Sequence, residues 1–264
     1  MFLYIFLRII LAVSLLLTPL PVAAADSFRV PILLYHRFGL TVADGMTTTT
    51  TVFESQMKYL KDNGYKVIPL RRLVDHYLGK APVPEPKSVV LVEDDAHKSV
   101  YSDMFPVIRK YGYPVTVFTY PSAISNAKYA MTWDQLRELK KTGLFDFQSH
   151  TYWHPNFKKE RRKLGHQALE ALVMTQLRKS RAKLESELGL KVDMLAWPFG
   201  IYDDYLTAKA SEAGYAATFT IERRHATAVD TVMKLPRYLL LNSDSGKTFV
   251  RLLEGNAVKR NVVY

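Results

Sequence analysis

Short apolar runs alternate with segments of helical period along almost the whole chain, and that alternation is what most restricts its fold. Residues 30–35, 89–92, 115–120, 145–149, 194–199, 215–221 and 235–241 read as strands. Residues 52–63, 71–78, 99–111, 132–141, 164–188, 204–213 and 247–253 read as helices, several stopped by a glycine (Gly64, Gly112, Gly143, Gly189, Gly214). Thr50 or Thr51 is the expected N-cap of the first, and Ser99 can cap the third. No internal repeat is visible. Strict alternation predicts a parallel sheet covered by helices. With about seven such units, a barrel of seven or eight strands fits better than an open sheet, and its chemistry belongs at the C-terminal strand ends.

Two polar clusters stand at such ends. Glu93-Asp94-Asp95 closes the run 88–92, and His150-Thr151-Tyr152-Trp153-His154 follows the run 144–148. One carboxylate and two imidazoles make a metal site with positions left open, and a second carboxylate beside the first can act as base toward water. The blander readings are two ordinary loop histidines and two aspartates that open a loop. Adjacent carboxylates at a strand end repel unless a cation compensates them, which favours the metal. The i, i+4 histidines would share one face of a helical turn, but Thr151 replaces the glutamate that a zincin helix needs. The pattern is that of a metal-dependent hydrolase.

Composition narrows the class. The chain has 264 residues, 48% of them hydrophobic, which is ample for a packed core. It has no cysteine, so disulfides, thiolate ligands and a cysteine nucleophile are excluded. Residues 1–17 are apolar apart from Tyr4, Arg8 and Ser14, and Ala23-Ala24-Ala25 precedes Asp26. Residues 1–25 are therefore expected to be a signal peptide, with one folded domain over 26–264 and an exported, periplasmic or extracellular protein. An uncleaved membrane anchor is the alternative. The net charge of +11 suits an anionic surface or envelope polymer. The one dense basic run, Lys158 to Lys163, lacks interleaved aromatics and reads as the solvated start of a long helix, so nucleic acid is not an expected partner.

Residues 89–120 resemble the polysaccharide deacetylases, the NodB-homology carbohydrate esterases. Their T-F-D-D-G motif stands here as Val92-Glu93-Asp94-Asp95-Ala96, and their H-[ST]-x-x-H motif as His150 to His154. Trp197-Pro198-Phe199-Gly200 looks like their third motif. Leu34-Tyr35-His36 fits the L-x-H motif, placed at the N-terminus as in the circularly permuted poly-N-acetylglucosamine deacetylase branch. The resemblance runs from about Pro31 to Leu241, most of the chain after the signal.

The resemblance implies a distorted, permuted (β/α) barrel and a role for each residue. Asp95, His150 and His154 hold a divalent metal, zinc by default, with nickel, cobalt or iron also suited to such a ligand set. Asp94 is the general base and His36 the general acid. The backbone N–H of Phe199 helps stabilise the oxyanion. The implied substrate is an acetylated polysaccharide, a β-linked N-acetylglucosamine polymer. An O-acetyl esterase on xylan or another envelope glycan, or a glycan-binding relative without turnover, are the alternatives. Trp153, Trp197 and Tyr202 are candidate stacking platforms for sugar rings.

The chain departs from the family pattern at several places. Glu93 replaces a phenylalanine, and its side chain should face away from Asp94 if the strand continues. Ala96 replaces a glycine, which disfavours a positive φ. His97 stands where an aromatic is common and can mimic a tyrosine or serve as a spare acid. The arginine that pairs with the base before the third motif is missing, with residues 192–196 in its place. His76, His166 and His225 have no partners in sequence and are expected at the surface.

Overall fold

A computed structural model describes residues 28–257. The expected signal peptide therefore lies outside the described residues. Seven strands run parallel around a barrel: β1 (Ile32–Tyr35), β2 (Ser88–Asp94), β3 (Val115–Thr119), β4 (Phe145–Ser149), β5 (Met194–Ala196), β6 (Ala217–Phe219) and β7 (Tyr238–Leu239). Their spatial order is β6-β5-β4-β3-β2-β1-β7. Leu235, just before β7, bridges Phe219 of β6, donating to Thr218 O at 2.9 Å and accepting from Thr220 N at 2.8 Å. That single bridge closes the ring, so the barrel is distorted where its last strand is shortest. The first strand lies between β2 and the last one, which brings the N-terminal motif into the ring.

The strands are buried on both faces, as parallel barrel strands must be. Val90 and Val92 of β2 join Ile32, Leu34, Phe118, Met194 and Phe219 in the barrel interior. Val89 and Leu91 pack outward against the helices. By this alternation Asp94 belongs to the inner face and Glu93 to the outer one. Helix α2 (Leu70–Tyr77) adds Leu70, Leu73 and Val74 to the inner cluster, plugging the N-terminal end. The outer helices are α1 (Thr50–Asp62), α3 (Phe105–Tyr111), α4 (Trp133–Lys141), α5 (Phe157–Lys163), α6 (His166–Leu188), α7 (Asp204–Glu212) and α8 (Lys247–Leu253). Among the described residues no helix is long and apolar enough to cross a membrane.

Some expected boundaries move, each for a local reason. Thr49, not Thr50 or Thr51, caps α1, accepting from Val52 N. The basic run forms its own short helix, capped by Asn156, and α6 starts afresh after Gly165. Ser99 caps nothing, because its hydroxyl accepts from Phe38 N, and a π-helical turn at Val100–Met104 precedes α3. Met194 to Phe199 is strand only as far as Ala196, where Pro198 starts a turn.

Candidate active site

Strand register assembles the site. Tyr35 pairs with Glu93, Asp94 with Phe118, and Ser149 with both Thr119 and Leu195. The residues one step beyond these pairs, His36, Asp95 and His150, therefore emerge side by side at the C-terminal rim. They line one cavity of about 450 Å³ together with Asp94, His97, Tyr120, Tyr129, His154 and Phe199.

Asp95, His150 and His154 bring one ligand atom each to within 4.8 Å of one another. His150 Nε2 and His154 Nε2 stand 3.7 and 3.8 Å from the same Asp95 Oδ1. Ligands about 2.0–2.2 Å from one tetrahedral ion lie roughly 3.3–3.6 Å apart, so this spacing needs little adjustment to hold one. His150 Nδ1 donates to Ala196 O at 2.8 Å; a carbonyl can only accept, so Nε2 is left bare. Burial pushes both imidazoles down to about 4, and the neutral ring is the ligating form. A bare His150 Nε2 beside His154 Nε2 and a carboxylate is a donor set for a cation. The residues fit a divalent metal.

The segment that carries the histidines is not helical. Thr151 (φ 64°) and His154 (φ 62°) are left-handed, and the loop is tied by Thr151 N to Ser149 Oγ, His154 N to Thr151 Oγ1 and Trp153 N to Gln176 Oε1. Two left-handed residues, rather than one helical face, turn both rings toward Asp95. The same device appears in the acidic loop, where Asp95 (φ 87°) and Ala96 (φ 54°) are both left-handed. Alanine adopts the conformation it disfavours. The Glu93 carboxylate compensates, accepting from Ala96 N at 3.1 Å and His97 N at 3.4 Å. Burial and then repulsion by Asp95 and Asp94 push the Glu93 carboxyl well up.

The arginine expected beside the base is present, but it comes from β7's approach. Arg237 is fully buried and clamps Asp94 with two bonds, Nη1 to Oδ1 at 2.7 Å and Nη2 to Oδ2 at 2.9 Å. Its Nε donates to Thr220 O, and its guanidinium lies 5.3 Å from the Phe118 ring centre. Burial would raise Asp94, but the Arg237 guanidinium, by its charge and its hydrogen bonds, outweighs it and holds the carboxyl below its ordinary range. This arginine lies after the third motif in the chain rather than before it. The available signal was a charge inside the apolar run 235–241. His36 reaches the same cavity, and its buried Nδ1 has no hydrogen-bond partner among the described residues.

The aromatic candidates separate. Trp197 is 0% exposed and packs edge-on against Phe157, so it offers no face for a sugar and serves as wall. Trp153 is 50% exposed, although it stands outside the cavity lining. Tyr202 donates to Glu222 and lines a separate surface groove with Phe157 and Arg161. Phe199 is left-handed (φ 57°) and its ring lies 4.5 Å from that of His154. Of the three isolated histidines only His166 is exposed. His225 is buried between Tyr238 Oη and Leu253 O, and His76 is half-buried edge-on against Phe28.

The polysaccharide deacetylase family model matches residues 81–218. A Staphylococcus aureus poly-beta-1,6-N-acetyl-D-glucosamine N-deacetylase is 27% identical over 207 residues, 77% of this chain and 70% of that protein. A namesake from Staphylococcus epidermidis is 26% identical over 213 residues, 79% and 73% of the two chains. The Streptococcus pyogenes deacetylase PplD shares the fold with a TM-score of 0.76 at 23% identity, over 86% of this chain and 98% of that one. IcaB from Ammonifex degensii does so at 0.73 and 22%, over 87% and 97%.

Proposed function

The chain belongs to the polysaccharide deacetylase family, and from that premise we propose that it hydrolyses the N-acetyl groups of a β-linked N-acetylglucosamine polymer. The observation that carries the reading is one cavity holding a clamped carboxylate, a three-residue cation site and a further imidazole. A binding module has no use for a base and an acid around a metal site. The names of the staphylococcal relatives support the choice of polymer.

Asp94 is ionised and oriented by Arg237, ready to take the proton of an attacking water. Asp95, His150 and His154 would hold the divalent cation, zinc first among those such ligands suit. When bound, that cation polarises the acetamide carbonyl and makes water a better nucleophile. His36 gives its proton to the departing amine, so water and amide leave as acetate and amine. The proposal includes export, on the support of the apolar N-terminal stretch that ends at Ala23-Ala24-Ala25, and contact with an envelope polymer, on the support of the +11 charge.

The test is acetate release from N-acetylglucosamine oligomers by metal-loaded protein, beside Asp94→Asn. The expected loss in the variant is about 100-fold or more, the usual contribution of a general base. Turnover that survives in Asp94→Asn, or acetate released from acetylated xylan alone, would overturn the reading.

A further inference from the structure

We propose that His97 is a substrate-binding donor, a neutral imidazole locked with its proton on Nε2 that hydrogen-bonds a hydroxyl of the sugar in the cavity. This rests on the reading of the cavity as a glycan site and assigns one of its specificity contacts.

The lock is built from Ser99. Its hydroxyl lies 2.8 Å from His97 Nδ1, and its backbone N–H reaches the same nitrogen at 3.2 Å. A backbone amide can only donate, so Nδ1 is bare. The Ser99 hydroxyl already accepts from Phe38 N at 2.9 Å, which leaves its own hydrogen for Nδ1. Two donors on one nitrogen leave the ring proton on Nε2.

The rest of the neighbourhood holds the ring in place. The backbone around it is pinned by His97 N to Glu93 and by Lys98 N to Tyr129 O at 2.7 Å. The ring stacks on Tyr129 at 6.4 Å and 8°. Tyr129 Oη in turn meets Tyr120 Oη at 2.7 Å, so the three rings make one wall of the cavity. Nε2 has no hydrogen-bond partner among the described residues.

Such a ring is held in one orientation by the two Ser99 donors. It is a good fixed donor, since its orientation is set before any ligand arrives. The stack on Tyr129 presents an aromatic edge beside that donor, the combination that recognises a pyranose with its apolar face and hydroxyl rim. A phenylalanine would keep the stack and lose the donor. A glutamine carries an amide nitrogen near the position of Nε2.

The experiment uses the metal-loaded full chain with N-acetylglucosamine oligomers and their monodeoxy analogues. His97→Phe should raise KM about tenfold, the value of one neutral hydrogen bond, with kcat within twofold and metal content unchanged. His97→Gln should recover most of that loss. One deoxy analogue should show the same KM with wild type and His97→Phe, naming the hydroxyl. In ¹⁵N-histidine spectra His97 should appear as the Nε2–H tautomer, and should stay so in Ser99→Ala, whose backbone amide still donates to Nδ1. A fall in kcat at constant KM, an equal penalty on every deoxy analogue, or a mixed tautomer in the wild type would overturn the proposal. If wild type releases no acetate, the deacetylase reading fails by itself. Oligomer affinity by calorimetry then decides, and equal affinity of wild type and His97→Phe sinks this one.

Discussion

The two ends of the barrel look alike in coarse terms and differ in what they leave unfinished. Each has a cavity, about 450 Å³ at the C-terminal end and about 430 Å³ at the other, and each cavity holds an aspartate paired with an arginine. At the N-terminal end Asp193 takes Arg71 and Lys191, whose side chains reach solvent, and Gln148 donates to both oxygens of Asp146. Two of the three aspartates that line that cavity, Asp193 and Asp146, are answered by the protein. At the C-terminal end Asp95 faces His150 Nε2 and His154 Nε2, and among the described residues no hydrogen bond is donated to its carboxylate. Strain is distributed the same way: five of the seven left-handed non-glycine residues described (Asp95, Ala96, Thr151, His154, Phe199) lie in the site's turns. Cavity size and ion pairs do not single out an active site; unanswered ligands and strained backbone do.

The largest effect expected from this contrast is on stability. Arg237→Met leaves Asp94 buried without its counter-charge, a change that costs about 3–5 kcal/mol. Arg71→Met leaves the buried Asp193 with Lys191 as its remaining cation and should therefore cost less than the first change. Urea unfolding of both variants measures the difference, and acetate release should vanish only in the first. Equal losses would show the two pairs to be the same kind of structural bond.

Much of this contrast was legible in the sequence. Strand ends carrying Asp94, Asp95, His150 and His36 followed from apolar runs that stop at polar residues, and glycine stops set most helix ends. What stayed hidden has physical causes. Arg237 is far from its partner in sequence, and only strand pairing brings it there. Trp197 follows a three-residue strand, too short for alternation to say which way the ring points. Hydrophobic period carries no information on φ, so the left-handed pairs at Asp95-Ala96 and Thr151/His154 were invisible, and a helical turn was the natural guess for the second. His225 had no neighbour in sequence to announce its burial against Tyr238.

A second difference is that only one end should respond to metal. Zinc at about 100 times its dissociation constant should stabilise the folded protein by about 2.7 kcal/mol, because the ligand set exists only when the loops are folded. Thermal unfolding with and without zinc reads this directly. Asp95→Asn should abolish the increment, and Asp193→Asn should retain it whatever its own stability. An increment that survives Asp95→Asn would place the cation elsewhere and break the contrast at its centre.

The smallest effect is a slope. Asp146, at the N-terminal end, has its carboxyl raised, chiefly by burial, although Gln148 and Arg71 pull it down. A carboxyl with a folded pKa above its unfolded one binds more protons folded than unfolded between the two values. Stability therefore falls as pH rises through that window and is flat beyond it. Asp146→Asn cannot titrate, so its stability relative to wild type should climb from the ordinary carboxylate range upward and then level off. The constant offset from the altered bond to Gln148 does not matter, because only the slope is read. Urea midpoints of the two proteins across the acid range measure it. A difference that stays level would mean that Gln148 and Arg71 fully offset the burial, and that Asp146 is not held at a cost.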